Sequence, residues 1–262
     1  MRELIEAVAR ARVIDLSQPF FTGMPHYPTH PQFLFSLSKR HGDVVLANGA
    51  SSASEALAMG GHSGTHIDAL CHYSLGGRLH GGAEAEQAQS YAGGVGALAI
   101  DGVDPVLRRG VLLDIARQQN TGALAEDFEI LPEHLEAAGG AAIRPGDVAL
   151  IRTGWGRFWN DPRRYVNGVR SPGPAEAGAR WLGGRGVFAA GSDTLTFEKV
   201  PGGTMPAHTH LLVECGIHIL ENLNLEELAA SGAAEFLFVA APLAIRGGTG
   251  SPVRAFALVT SE

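Results

Sequence analysis

The chain has 262 residues, 45% of them hydrophobic and 18% charged, with a formal net charge of −7. That length can bury a sizeable core and suits a single domain spanning residues 1–262. The acidic balance and the lack of any long Lys/Arg run exclude a nucleic-acid surface, which needs a basic stripe.

Residues 2–12 read as a short amphipathic helix with Leu4, Ile5 and Val8 on one side. Charges spread through it, so it lacks the apolar centre of a secretory signal. No apolar run reaches the roughly 20 residues of a membrane span. Cys71 and Cys215 are too few for a disulfide framework. The expectation is a soluble, cytoplasmic protein without membrane or nucleic-acid partners, acting on a small molecule.

"VIDLS" (13–17) reads as a strand. "PFFTGMPHYPTHP" (19–31) holds four prolines in thirteen residues and must be an irregular loop. Its Phe20, Phe21 and Tyr27 suit an aromatic wall for a flat substrate, with core packing the competing role. Further strands are expected at 96–101, 110–116, 147–155, 186–194 and 234–243, each short, apolar and bounded by Gly, Pro or Asp. Helices are expected at 132–140, closed by glycine, and at 173–186, with Pro174 near its start. The 35 glycines show no period, which excludes a repeat architecture. No linker divides the chain, so the fold class is a mixed α/β single domain.

The densest chemistry lies in "HSGTHIDALCH" (62–72). On a helix His62 and His66 would share a face, whereas on an extended chain His62, His66, Asp68 and His72 all share parity and point one way. Thr65 and Ile67 are β-branched, so His62–Asp68 is expected to be extended, with Gly64 on the same face leaving room for an ion. Imidazoles with a carboxylate suit Zn²⁺ or Mn²⁺, and the absence of paired cysteines argues against a closed structural zinc site. An ion with open positions lowers the pKa of its water from ~15.7 towards ~7.

Other candidates are sparser. "MPAHTHLLVE" (205–214) carries His208 and His210, which on a strand would both aim inward; His208 is the better ligand and His210 the better solvent-facing residue. Glu221 in "HILENLN" (218–224) is costly among apolar neighbours unless paired, metal-bound or at a helix start. Asp193 and Thr194 either orient an imidazole or cap a turn. Trp155 and Trp159 suit core or subunit-interface packing, and Cys71 a small buried side chain. "GVG" (94–96) lacks the dinucleotide fingerprint, and no Gly-x-Ser-x-Gly elbow occurs.

"HSGTHIDALCH" resembles the His-x-Gly-Thr-His-x-Asp-x-Pro-x-His signature of the metal-dependent cyclase-like hydrolases, the superfamily of bacterial kynurenine formamidase and isatin hydrolase. Leu70 stands where the signature has Pro. "DLSQPFFTGMP" (15–25), "LIRTGW" (150–155), "GSDT" (191–194) and "GIHILENLNLEEL" (216–228) are similar to further family segments. The resemblance implies a swivelling β/β/α fold with a mixed sheet, assembled as a homodimer or homotetramer. It implies His62, His66 and Asp68 as ligands of a first ion. His72 matches a histidine used for acid–base chemistry or contact with a second ion. His208 and Glu221 match the distal pair that completes the site in two-ion members, where the resemblance implies that Asp68 would bridge. "GGRLHGG" (76–82) departs from an expected Tyr-Asn pair at Leu79 and His80, which makes His80 a candidate substrate contact.

The resulting expectation is a hydrolase of non-peptide carbon–nitrogen bonds that cleaves an aryl formamide or opens a cyclic amide. Metal-held hydroxide would attack, with His72 as general acid and base. The alternatives are a metal-dependent lyase or cyclisation enzyme using the same ligands, and a non-catalytic metal-binding protein.

Overall fold

Short apolar runs interrupted by Gly, Pro and Asp make the centre of the molecule a sheet rather than a helical bundle. The computed structural model describes residues 1–260, and among these, nine strands join in one sheet. In chain order they are β1 (Arg12–Asp15), β2 (His66–Asp68), β3 (Val106–Asp114), β4 (Val148–Arg152) and β5 (Ala189–Ser192). β6 (His218–Glu221), β7 (Glu235–Ala240), β8 (Gly250–Pro252) and β9 (Phe256–Val259) follow. Their spatial order is β1-β9-β7-β3-β4-β5-β6-β2-β8. The central β3, β4, β5 and β6 run parallel, and the flanking pairs are antiparallel. This is the mixed α/β fold expected.

The parallel strands are largely apolar where they pair with one another, because both faces are covered there. Val148, Leu150 and Leu220 point into a core shared with Phe236 and Phe238. Their neighbours Ala149, Ile151 and Ile219 point into the opposite core, against Leu135, Leu182 and Leu211. Helix Glu176–Gly184 and the helical segment 206–215 cover that second face. At the end of β3, Asp114 accepts from the Arg117 N–H at 3.0 Å and caps the short helix Ile115–Gln118.

The expected strands at 110–116, 147–155, 186–194 and 234–243 fall on β3, β4, β5 and β7, and the expected helices on Pro132–Ala137 and Glu176–Gly184. The expected strand at 96–101 is a correction. Leu98 has φ +58° and Ile100–Gly102 form a 3-10 turn. The backbone there bonds to other loops instead of a strand: Leu98 O accepts from Cys71 N, and Ile100 N donates to Gly248 O. A hairpin of Leu34–Lys39 and Ser54–Ala58 stands off the body with Leu34, Phe35, Leu37 and Leu57 exposed. Helix Arg2–Arg10 likewise leaves Leu4, Ile5 and Val8 exposed. No helix among the described residues is long and apolar enough to cross a membrane.

Candidate metal centre

β2 is three residues long, and its alternation decides the site. Ile67 turns into the core beside Leu220, while His66 and Asp68 take the opposite face. In the antiparallel register Glu221 of β6 stands opposite His66, which brings His66 Nε2 to 3.4 Å from Glu221 Oε2 and leaves it 3.5 Å from Asp68 Oδ1.

The extended chain expected over His62–Asp68 is confined to His66–Asp68. Residues 61–65 are turn and bend, with Gly64 at φ +59°. Gly64 does not make room for an ion: a Cβ there would lie 2.0 Å from Cε1 of Phe20. Its carbonyl does a second job, accepting from His66 Nδ1 at 2.8 Å and from Asn222 Nδ2 at 3.0 Å. Thr65 ties the turn down, its hydroxyl accepting from Gln18 N at 2.8 Å and donating to Asn222 O at 2.6 Å.

The turn swings His62 back over the strand, where Nδ1 donates to Asp68 Oδ1 at 2.7 Å and Nε2 lies 2.9 Å from Thr249 Oγ1. His72 ends the 3-10 turn Leu70–His72, its ring centroid 4.0 Å from that of His62. His208 arrives from the far side of the sheet. Residues 206–215 are helical rather than extended, so His208 and His210 do not aim together. His208 Nε2 reaches 3.3 Å from Glu221 Oε1 and 3.8 Å from Asp68 Oδ2. His210 turns away to Glu214 at 2.6 Å and to Cys215 at 3.4 Å.

All six expected residues, His62, His66, Asp68, His72, His208 and Glu221, thus meet around one point. Ligand atoms of His62, Asp68 and His72 lie within 4.8 Å of one another, as do those of Asp68, His208 and Glu221, with Asp68 common to both groups. At the centre, His66 Nε2, Asp68 Oδ2 and Glu221 Oε1 are buried and have no hydrogen-bond partner among the described residues. Leaving such groups unsatisfied costs about 1–3 kcal/mol each, more where charged. One or two divalent cations would satisfy all three with imidazole and carboxylate donors, so these residues fit a metal.

A model of the Cyclase family, described as "Putative cyclase", matches residues 14–199. The chain belongs to that family. Isatin hydrolase of Roseibium aggregatum is 30% identical over 213 residues, covering 78% of this chain and 73% of the relative. Kynurenine formamidase of Bordetella petrii is 27% identical over 248 residues, covering 93% and 96%. A solved structure described as a novel cyclase superposes with a TM-score of 0.87 at 28% identity, over 99% of this chain and 90% of that one.

The electrostatics of this cyclase-family site follow from burial and pairing. Burial works against a charged His66, but the contacts with Asp68 and Glu221 outweigh it and raise its pKa to about 10. Burial likewise opposes a charged His208, and Glu198 with Glu221 raises it to about 10. Burial dominates at His72 and, with His62 and His208 nearby, pulls it down to about 4 against the attraction of Asp68. Burial would raise Asp68, yet His72 and His62 hold it well below the ordinary carboxylate range.

The cluster floors a cavity of about 160 Å³. Tyr27 lines it as expected, and so do His30 and Tyr73, whose sequence context gave no sign of it. Phe20 and Phe21 are corrections: they pack against a core formed by Met24, Phe33, Trp155 and Trp159, and Phe20 meets Phe33 edge-on at 5.5 Å. His80 is a third correction, because its Nδ1 donates to Val213 O at 2.8 Å and its ring packs against Gly216, outside the cavity wall. Asp193 orients no imidazole. Its carboxylate accepts from Thr153 N, Thr153 Oγ1 and Gly154 N at 2.6–2.9 Å and fixes the turn after β4. The sequence also gave no sign of Glu198, which holds His208 Nδ1, or of Asn222, which holds the Gly64 carbonyl.

Proposed function

We propose that this site hydrolyses a carbon–nitrogen bond of a small amide, an aryl formamide or a cyclic amide, with Zn²⁺ or Mn²⁺ as cofactor. The observation that carries the reading is the convergence of His66 Nε2, Asp68 Oδ2 and Glu221 Oε1, all buried and without a hydrogen-bond partner among the described residues, beside a cavity that His66 and Glu221 line. Relatives named isatin hydrolase and kynurenine formamidase give the bond class.

His62, His66 and Asp68 would hold a first ion, and His208 and Glu221 a second, with Asp68 between them. A bound divalent ion supplies Lewis acidity, polarising a carbonyl and acidifying water. The remaining chemistry belongs to the chain. His72 is neutral near pH 7, its pKa lying at about 4, so its ring accepts a proton from the attacking water and returns it to the leaving nitrogen. The Gly64 carbonyl fixes the tautomer of His66 before substrate arrives.

The cavity is close to the roughly 150 Å³ that accommodates a benzene ring, so it suits a group of one aromatic ring. Tyr27 and His30, with ring centroids 5.2 Å apart, form one wall, and Tyr73 forms part of another.

The test begins with elemental analysis of the purified protein beside His66→Ala. One or two equivalents of Zn or Mn, depleted in the variant, support the reading; no retained metal, even after refolding with each ion, overturns it. Product masses then decide the reaction. Hydrolysis adds the mass of one water to an aryl formamide or cyclic amide, and a product lacking it indicates the lyase alternative.

A further inference from the structure

Glu198 is a buried carboxylate to which the proposed chemistry assigns no step. It lies in the irregular segment after β5 and is 1% exposed. Three donors converge on it from the start of the helical segment: Ala207 N on Oε2 at 3.1 Å, His208 N on Oε1 at 3.1 Å, and His208 Nδ1 on Oε1 at 2.5 Å. The adjacent Lys199 reaches Glu129 instead, so no Lys or Arg ion pair to Glu198 forms among the described residues. Burying a carboxylate without a cationic side chain is expensive unless hydrogen bonds and a charged or metal-bearing partner offset it. The imidazole of His208 is the partner this geometry offers.

We propose that Glu198 is a positioning residue for the second ion: by taking the Nδ1–H of His208 it fixes the tautomer that turns Nε2 towards Asp68 and Glu221. The inference rests on the metal-centre reading above and adds to it a determinant of whether one ion or two are held. The two central imidazoles are oriented by different acceptors. His66 donates to the neutral carbonyl of Gly64, and His208 donates to a carboxylate. A carboxylate behind a ligating histidine both fixes the ring and raises its basicity, and removing such a partner weakens metal binding by about 10–100-fold. Because Glu198 touches His208 and none of His62, His66 or His72, its loss acts on one ion position and spares the other.

The experiment titrates metal-free wild type, Glu198→Gln and Glu198→Ala with Zn²⁺ against a competing chelator. Melting temperatures and ¹⁵N spectra of the imidazoles accompany each titration, with His208→Gln identifying the His208 signals. The expected result is two equivalents in wild type. In both variants one equivalent should be unchanged and the other weakened about 10–100-fold. The His208 nitrogens should lose their fixed Nδ1–H pattern. Glu198→Gln keeps the shape and an acceptor oxygen, so it decides the matter if Glu198→Ala does not fold. Two equivalents bound with wild-type affinity in Glu198→Gln overturn the proposal. So does parallel weakening of both equivalents with a lowered melting temperature, which marks a structural role. One wild-type equivalent that Glu198→Gln leaves unchanged overturns this proposal and leaves the hydrolase reading standing. No equivalents in wild type overturn the metal reading itself.

Discussion

His66 and Glu221 are cross-strand partners, set opposite each other by the β2–β6 register, with Nε2 and Oε2 3.4 Å apart. The register that buries Ile67 and Leu220 on one face therefore delivers a histidine and a carboxylate to the other. A one-residue slip would send both to the wrong side. Glu221 also faces His208 at 3.3 Å, so Glu221→Ala removes a carboxylate shared by two imidazoles. The expected outcome is less metal retained after dialysis than in wild type, read by elemental analysis, with the fold preserved by circular dichroism. Undiminished metal content would remove Glu221 from the ligand set.

Metal and protons compete for the same imidazoles. In the metal-free chain His66 and His208 are held protonated up to about pH 10, so ion binding near pH 7.5 must expel protons. Calorimetry in buffers of different ionisation enthalpy should show proton release, and apparent affinity should rise with pH. The linked stability has a definite sign. The raised histidines stabilise the metal-free fold fully below 6.5 and lose that contribution as pH climbs towards about 10. Asp68 and Glu221 are lowered from 3.8 and 4.5, and their contribution is lost as pH falls below that range. His72, lowered from 6.5 to about 4, opposes folding as pH falls below 6.5, so chelator-treated protein should melt highest near pH 6.5. A melting temperature that rises steadily from pH 6 to 9 would contradict these pairings.

Thr65 is fully buried and joins the opening loop to β6 through Gln18 N and Asn222 O. Thr65→Val keeps the volume and deletes both bonds, leaving a buried N–H unsatisfied. A loss of about 1–3 kcal/mol is expected. At roughly 2–4 °C per kcal/mol for a chain near this size, the melting temperature should fall by several degrees. Unchanged melting would mean that Thr65 does not fasten the turn.

The metal motif was legible because it concentrates rare, chemically matched residues in eleven positions, and parity alone placed His66 and Asp68 on one face. Parity failed at His62, because the left-handed Gly64 breaks the extended run and a turn returns the imidazole to the same point. Local pattern also misled at His208, where Pro206 opens a helix that a two-residue repeat of histidines does not announce. Glu198 carried no signal: beside Lys199 it reads as half of a solvated charge pair, and only the packing of residues 206–208 buries it. The core strands were legible from composition. The sheet order was not, because β2, β8 and β9 are short and pair with strands distant in sequence.

Gly250 faces Asp68 across the β2–β8 pairing, and a Cβ on it would lie 2.6 Å from Cε1 of His62. Gly250→Ala should push the His62 ring off Asp68 Oδ1 without touching His208 or Glu221. The expected result is weaker binding of one equivalent of Zn²⁺ in a chelator titration, with the other unaffected. Equal weakening of both would mean that the sheet edge, not the imidazole, had moved.

His72 separates ligation from proton transfer. Its ring lies against His62 and faces the cavity, and burial keeps it neutral above its pKa of about 4. A neutral ring can serve either purpose: a ligand atom of His72 lies within 4.8 Å of those of His62 and Asp68, while the ring also faces the cavity. His72→Ala should retain the wild-type ion content while turnover of an aryl formamide or cyclic amide falls by about 10²–10⁴-fold, the range expected for loss of a positioned acid–base group. Elemental analysis and turnover measured on the same metal-replete sample distinguish the outcomes. Loss of one equivalent of metal would make His72 a ligand. Full metal with wild-type turnover would end its acid–base role, and the proton would then have to pass through another titratable group on the cavity wall, such as His26, Tyr27, His30 or Tyr73.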